Sequence, residues 1–326
     1  MDYVNLGNSG LMVSKICLGT LTFGDPAWRS WVLDVDGSRP IMQQAFDLGI
    51  TFFDTADMYS MGASERVVGQ LLKEMAPRDE YVVATKVHSV MGDRPTQRGL
   101  SRKHIMEGIE ASLERLDLDY VDIYITHRWD YTTPIEETME ALHDVKKAGL
   151  TQYIGASSMH AWQFAKAQAA AESNGWTKFI SMQNHYNLVY REEEREMIPM
   201  CIDQGVAVTP WSPLARGFLA GNRHRQGGGA SARAQDDPLA AELYYRDADF
   251  AVADQAVEIA RKRGAEPAQV ALAWMLAKPG IVAPVIGVSS AAQLEQLCAA
   301  TDFQLSSDEI AALEAPYMPK AVMGHD

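Results

Sequence analysis

Two rhythms of apolar positions alternate from end to end of this chain. Short apolar runs at residues 16–18, 52–54, 82–86, 123–126, 153–156, 179–183, 207–211 and 282–286 suit strands. Several, Val82-Val83-Ala84 among them, lack the polar alternation of a one-faced sheet and suit parallel strands covered on both sides. Between them lie longer segments with helical spacing, at 39–48, 64–74, 102–116, 135–148, 161–174, 193–204, 250–263 and 291–299, two of them stopped by Gly49 and Gly149. Eight strand–helix units in this order predict an α/β fold, a (β/α)8 or TIM barrel that takes up residues 1–326 as a single domain. Residues 3–6 and 12–14, around Asn8, Ser9 and Gly10, read as a β-hairpin ahead of the first barrel strand. A doubly wound sheet is the competing layout; it loses because no GxGxxG marks a strand-to-helix turn and no linker divides the chain. Residues 221–249 break the rhythm with Gly227, Gly228, Gly229, many alanines, and Arg223, Arg225, Arg233 and Arg246. A long loop after the seventh strand lies at the C-terminal mouth of a barrel, as a lid or as a bland surface loop.

Composition narrows the partners. Of 326 residues 47% are hydrophobic, enough for a sizeable core, and the formal charge is −14 without any basic block. That field repels phosphate backbones and anionic lipid, so nucleic acid and membrane are excluded as partners and a phosphorylated cofactor needs locally gathered cations. Cys17, Cys201 and Cys298 are scattered and read as reduced thiols, not as a disulfide framework or a metal site. Without signal-peptide features or a run of membrane-spanning length, the expected location is the cytoplasm.

Strand ends at the C-terminal mouth are where a barrel builds its site. Asp54 closes FFD, Tyr59 follows five residues later, Lys86 closes VVATK and His127 follows DIYIT. A charge at the end of an apolar strand needs a partner, which Asp54 and Lys86 supply for each other; alone, that pair also fits a purely structural role. Tyr59 changes the balance, because an ammonium beside a phenol lowers its pKa and makes it an acid and base. With His127 to hydrogen-bond a carbonyl oxygen, the set protonates oxygen while something else attacks carbon, and a hydride donor fills that gap.

The segments ITFFDTADMYSMGASERVVGQLL, VVATKV, VDIYITHRWD and TPWSPLARGFLAGN resemble the signatures of the aldo-keto reductase superfamily, over nearly the whole chain to about residue 300. YREEEREMIPMC and SPLARGFLAGN are similar to the branch with aryl-alcohol dehydrogenases, versiconal-type reductases and potassium-channel β subunits. The resemblance implies that Tyr59 is the general acid and base, tuned by Lys86 and Asp54, with His127 orienting the carbonyl. It implies nicotinamide contacts at Ser157, Gln183 and Trp211, and a pyrophosphate site at Ser212, Leu214, Arg216 and Gly217. Gly19 and Thr20 would border cofactor and substrate. Gly287, Ser289 and Gln293 would bind the adenosine end with Arg233, although Val288, Gln296 and Leu297 depart from the family pattern there. The implied cofactor is NADP(H), with NAD(H) also admitted. Trp28, Trp31, Met58, His88, Trp129 and Tyr186 are candidates to line an apolar substrate pocket or to pack beneath a loop. The short tail, residues 315–326, implies an open pocket.

The expected partner is a small carbonyl compound or alcohol, and homo-oligomers occur in the branch. The competing reading is a redox-sensing regulatory subunit that binds NADP(H) and turns over slowly. A barrel isomerase or lyase has no use for the tyrosine–lysine pair.

Overall fold

The computed structural model describes residues 1–221, 225, 229 and 232–325. Arg223, Gly227 and Gly228 lie outside the described residues. Strands β1 (Tyr3–Asn5) and β2 (Met12–Ser14) form an antiparallel hairpin. Eight parallel strands follow: β3 (Cys17–Gly19), β4 (Phe52–Asp54), β5 (Val82–Val87), β6 (Val121–Thr126), β7 (Thr151–Ser157), β8 (Ser181–Gln183), β9 (Ala207–Val208) and β10 (Val285–Ile286). Their order in the sheet is β10-β3-β4-β5-β6-β7-β8-β9. Bridges Val208–Ile281 and Trp211–Val285 join β9 back to β10, so the sheet closes into a (β/α)8 barrel.

Helices α1 (Val35–Asp47), α2 (Ala63–Met75), α3 (Arg102–Leu116), α4 (Ile135–Lys147), α5 (Ala161–Asn174) and α6 (Met197–Gln204) connect successive strands. Short helices α7 (Ala232–Gln235) and α8 (Pro238–Leu243) then precede α9 (Asp247–Arg263) and α10 (Pro267–Leu276); α11 (Ala291–Cys298) and α12 (Ser307–Glu314) follow β10. The stretch expected as one long loop after the seventh strand is therefore partly helical. Helices α10 and α12 have no counterpart in the sequence reading. The last two strands are shorter than expected, because Pro210 and Pro284 lack the N–H that a ladder requires. The expected helix at 193–204 begins later, at Met197, after a 3-10 turn Glu192–Glu194.

Alternation along each strand divides the core in two. Cys17, Phe52, Val82, Ala84, Ile123, Ile125 and Ala207 fill the barrel interior, and Leu6 and Val13 of the hairpin close its floor. Val83, Tyr124 and Ile154 point outward beneath the helices. With one end plugged, the strand C-termini are left to frame a cleft. No helix among the described residues is long and apolar enough to cross a membrane.

Candidate active site

The cleft at the C-terminal ends of the strands has a volume of about 710 Å³. Asp54, at the end of β4, and Lys86, one residue before the end of β5, meet at its base. Lys86 Nζ donates to Asp54 Oδ1 at 2.5 Å, to the Thr55 carbonyl at 2.8 Å and to Tyr59 Oη at 3.2 Å. The other Asp54 oxygen accepts from Gln183 Nε2 at 2.9 Å. Ser157 Oγ donates to the Gln183 carbonyl at 2.9 Å, which ties the ends of β7 and β8 together. The His127 ring meets Tyr59 edge-on, with centroids 5.8 Å apart.

Tyr59 is presented by an unusual turn. Ser60, Met61 and Gly62 have φ of 51°, 51° and 87°, three left-handed residues in succession. Ser60 Oγ accepts from Asp25 N–H at 2.9 Å, and Arg115 of α3 crosses Gly62 so closely that a Cβ there would lie 2.5 Å from its Cδ. Arg115 Nε pairs at 2.5 Å with Glu65 Oε2, while Thr85 Oγ1 donates to Glu65 Oε1 at 2.6 Å, so one fully buried carboxylate links this turn to the strand that carries Lys86. Arg115→Met leaves that carboxylate without its cation. The expected result in urea unfolding is a loss of about 3–5 kcal/mol of stability; a change below about 1 kcal/mol would show that the pair contributes little.

Electrostatics set the proton inventory. Burial opposes the Lys86 charge, but Asp54 and Tyr59 outweigh it and raise its pKa. Burial also pushes the Tyr59 phenol up, and the Lys86 ammonium only moderates this. The lysine does pull that pKa down, as the sequence leads one to expect, but desolvation outweighs it, so the net shift is upward and the phenol is protonated at neutral pH. Burial, helped by Lys86, Arg128 and His88, holds His127 well below the usual imidazole range, so its ring is neutral. Its buried Nδ1 has no partner among the described residues. The group can donate a proton from a phenol and fix a carbonyl oxygen with a neutral imidazole.

Trp211 forms the wall opposite. Its Nε1 donates to Ser158 Oγ at 2.8 Å. His185 stacks on one face, centroids 4.3 Å apart, and Tyr190 stacks on His185 at 4.1 Å. After Trp211 the chain turns through Ser212, Ala215, Arg216 and Gly217, all with positive φ, along the cleft. Arg216 and Arg233 share the Asp237 carboxylate at 2.6 and 3.1 Å. Arg233 also lies over the Trp31 ring at 4.7 Å, and Ser30 Oγ donates to Asp236 at 2.9 Å. The described part of 232–249 thus reaches across to the loop before α1.

Of the expected residues, Gly19, Trp28, Trp31, Met58, Asp54, Tyr59, His127, Ser157, Gln183, Trp211, Ser212, Leu214, Arg216, Gly217, Arg233, Gly287, Ser289 and Gln293 line one cleft. Lys86 is fully buried behind it. Thr20 is not brought in: its hydroxyl bonds the Asp54 carbonyl and Ser64 Oγ beneath the floor. His88 lies outside the lining, Trp129 faces Trp162 at 6.0 Å, and Tyr186 is buried against Trp274 with its hydroxyl on Glu194. The tail does not line the cleft, yet it is tied down behind Trp211. Lys320 pairs with Asp249 at 2.7 Å, Met323 N–H bonds Tyr190 Oη, and Gly324 is so close that a Cβ would lie 2.9 Å from the Trp211 ring. Gln296 and Leu297, which break the family pattern, line the same cleft beside Gln293. Arg29 and Arg128 also line the cleft. The sequence reading passed over both, although Arg128 directly follows His127.

Comparison with known proteins gives the family. The model of the aldo/keto reductase family matches residues 15–317. A versiconal hemiacetal acetate reductase of Aspergillus parasiticus is 43% identical over 344 residues, covering 99% of this chain and 98% of that protein. An aldo-keto reductase of Metarhizium robertsii is 43% identical over 350 residues, covering 100% of this chain and 93% of that protein. A third, from Alternaria alternata, is 41% identical over 351 residues, with 99% and 93% covered. The chain belongs to the aldo/keto reductase family.

Proposed function

We propose that this protein reduces aldehydes or ketones to alcohols, reversibly, with NADP(H) as the favoured cofactor and NAD(H) admitted. The observation that carries the reading is the hydrogen-bonded chain Asp54–Lys86–Tyr59 at the base of a cleft walled by Trp211. The remaining wall fits a dinucleotide: a flat ring with one face already stacked, a left-handed turn along Ser212–Gly217, and two guanidiniums farther along. When bound, the nicotinamide supplies the hydride. Tyr59 Oη gives its proton to the carbonyl oxygen, Lys86 steadies the phenolate left behind, and Asp54 holds Lys86 in place. His127 donates to the same oxygen. Ser157 and Gln183 orient the carboxamide, and Trp28, Trp31 and Met58 favour aromatic or alicyclic substrates. The fold serves as one catalytic unit. Its acidic charge and three buried free thiols are in keeping with a reducing cytoplasm.

The test follows NADPH and NADH absorbance with aromatic aldehydes, α-diketones, quinones and alicyclic ketones. Turnover of at least one class is expected. Tight cofactor binding without turnover on any class points instead to a redox-sensing regulatory subunit. For cofactor choice, Arg233→Ala is expected to weaken NADPH by about 1.5–3 kcal/mol, roughly ten- to a hundredfold, with little effect on NADH; equal effects in a titration remove Arg233 from the 2′-phosphate site.

A further inference from the structure

A guanidinium in a cleft wall has lost part of its water and needs an anion in exchange. Elsewhere in the chain that need is met internally. Of the half-buried arginines, Arg39, Arg78, Arg115, Arg191, Arg216 and Arg233 each pair with a carboxylate. Arg29 and Arg128 are half-buried too, and no carboxylate of the described residues lies within ion-pair distance of either. Both line the cleft. In a chain with 43 acidic and 29 basic residues, two carboxylate-free arginines facing one cavity are an arrangement that the surrounding charge does not produce by default.

Arg128 belongs to the end where the proton donor lies. Its Nη1 donates to the carbonyl of His127 at 2.8 Å, and its guanidinium carbon is 5.8 Å from the centre of the Trp211 ring. The ionisable groups around it are the Tyr59 phenol and the His127, His88 and His185 imidazoles, none of which offers a negative charge at neutral pH. Burial depresses its own pKa, as expected for a cation without a counter-ion. Arg29 lies over Trp28 at 4.7 Å and Trp31 at 5.6 Å, so its planar face is engaged by aromatic rings. The cofactor's phosphates have Arg216 and Arg233, which share the Asp237 carboxylate, and Arg233 meets the Trp31 ring that Arg29 also lies over.

We propose that the substrate end of this cleft selects aromatic carbonyl compounds that carry a carboxylate, with Arg128 as the anion anchor and Arg29 as a second cation at the tryptophan-lined mouth. The proposal rests on the reductase reading and specifies the substrate class of that same site. Arg128 is a specificity residue; proton transfer stays with Tyr59.

The experiment compares 4-carboxybenzaldehyde with its methyl ester under saturating NADPH. An ester group withdraws more electron density from the ring than a carboxylate, so intrinsic reactivity favours the ester and cannot produce a preference for the acid. The acid is expected to show a KM at least about tenfold lower than the ester, from a charge-assisted hydrogen bond worth about 1.5–3 kcal/mol. Added NaCl should raise the KM of the acid and leave that of the ester. In Arg128→Gln the KM of the acid rises to that of the ester, and Arg128→Lys restores part of the preference. Arg29→Gln gives a smaller change in the same direction. Calorimetric binding of the product alcohols, 4-(hydroxymethyl)benzoate and its methyl ester, to the chain with NADP⁺ reports the anchor independently of turnover. Equal affinity for acid and ester in the unsubstituted chain overturns the proposal. So does an Arg128→Gln variant that binds NADPH more weakly with the acid-to-ester ratio unchanged, since the arginine then serves the cofactor. If neither aldehyde reacts but the acid alcohol still binds through Arg128, the anchor stands and the reductase reading fails.

Discussion

Tyr59→Phe is expected to lower kcat for carbonyl reduction by about 10²–10⁴-fold and to leave nicotinamide binding nearly unchanged. The phenol oxygen is the group that Lys86 Nζ reaches, at 3.2 Å, and removing it takes away the proton donor but not the aromatic ring that packs edge-on against His127. The loss therefore falls on the step in which negative charge develops on the carbonyl oxygen, not on ground-state binding. Burial, only partly offset by Lys86, keeps the phenol protonated, which fixes the sign of the pH dependence. Reduction uses the protonated form, so Tyr59 imposes no loss of rate as pH rises toward neutrality. Alcohol oxidation uses the phenolate and accelerates as pH rises. Stopped-flow rates in both directions and cofactor titration by fluorescence check these statements; undiminished turnover in the variant would sink the acid–base role.

Asp57→Asn is expected to change how stability depends on pH, by an amount comparable to the whole stability of many domains. Asp57 lies two residues before Tyr59, almost completely buried. One oxygen accepts from Met58 N–H at 2.6 Å and the other has no partner among the described residues. Burial, reinforced by the Glu65 carboxylate, pushes its carboxyl up to about 8 from the usual 3.8, against the pull of Arg115 and Lys86. A carboxyl raised in this way binds its proton more tightly folded than unfolded. Its stabilising contribution is complete below about pH 4 and is lost as pH climbs to about 8, beyond which the profile is flat. At about 1.4 kcal/mol per pH unit, that window is worth on the order of 5 kcal/mol. Asparagine carries no charge in either state and removes the slope. Urea unfolding of both proteins at several pH values between these limits provides the check, and parallel profiles would falsify the buried, protonated state of Asp57.

The sequence showed Asp54, Tyr59, Lys86 and His127 more clearly than it showed their surroundings. Asp54, Lys86 and His127 stand out because polar residues at the ends of apolar runs are rare, and parallel strands bring such ends to one mouth. Helices α3 and α5 were legible to the residue, since Ser101 and Gly175 mark a start and a stop. Helix α10 was not. Ala268 and Val270–Met275 are all buried, so it has no polar face and no helical period to detect. In α12 the signal was present, Ser306 and Glu309 capping each other, but it lay beyond the last expected strand–helix unit. Thr20, His88, Trp129 and Tyr186 show the limit of reading by position. Where a side chain points within a loop depends on tertiary partners, such as Ser64, Trp162 and Glu194, that no local pattern names.

The closing of the barrel has a consequence for what fills it. Between β9 and β10 the continuous ladder gives way to isolated bridges, and Pro210 and Pro284 each remove a donor there. The cleft straddles this seam, with Trp211 and Leu214 on one side and Val285, Gly287 and Ser289 on the other. A ligand long enough to touch both sides acts as a rivet across this seam. Binding is thereby linked to the closure of the barrel, and a bound ligand adds its own free energy to that join.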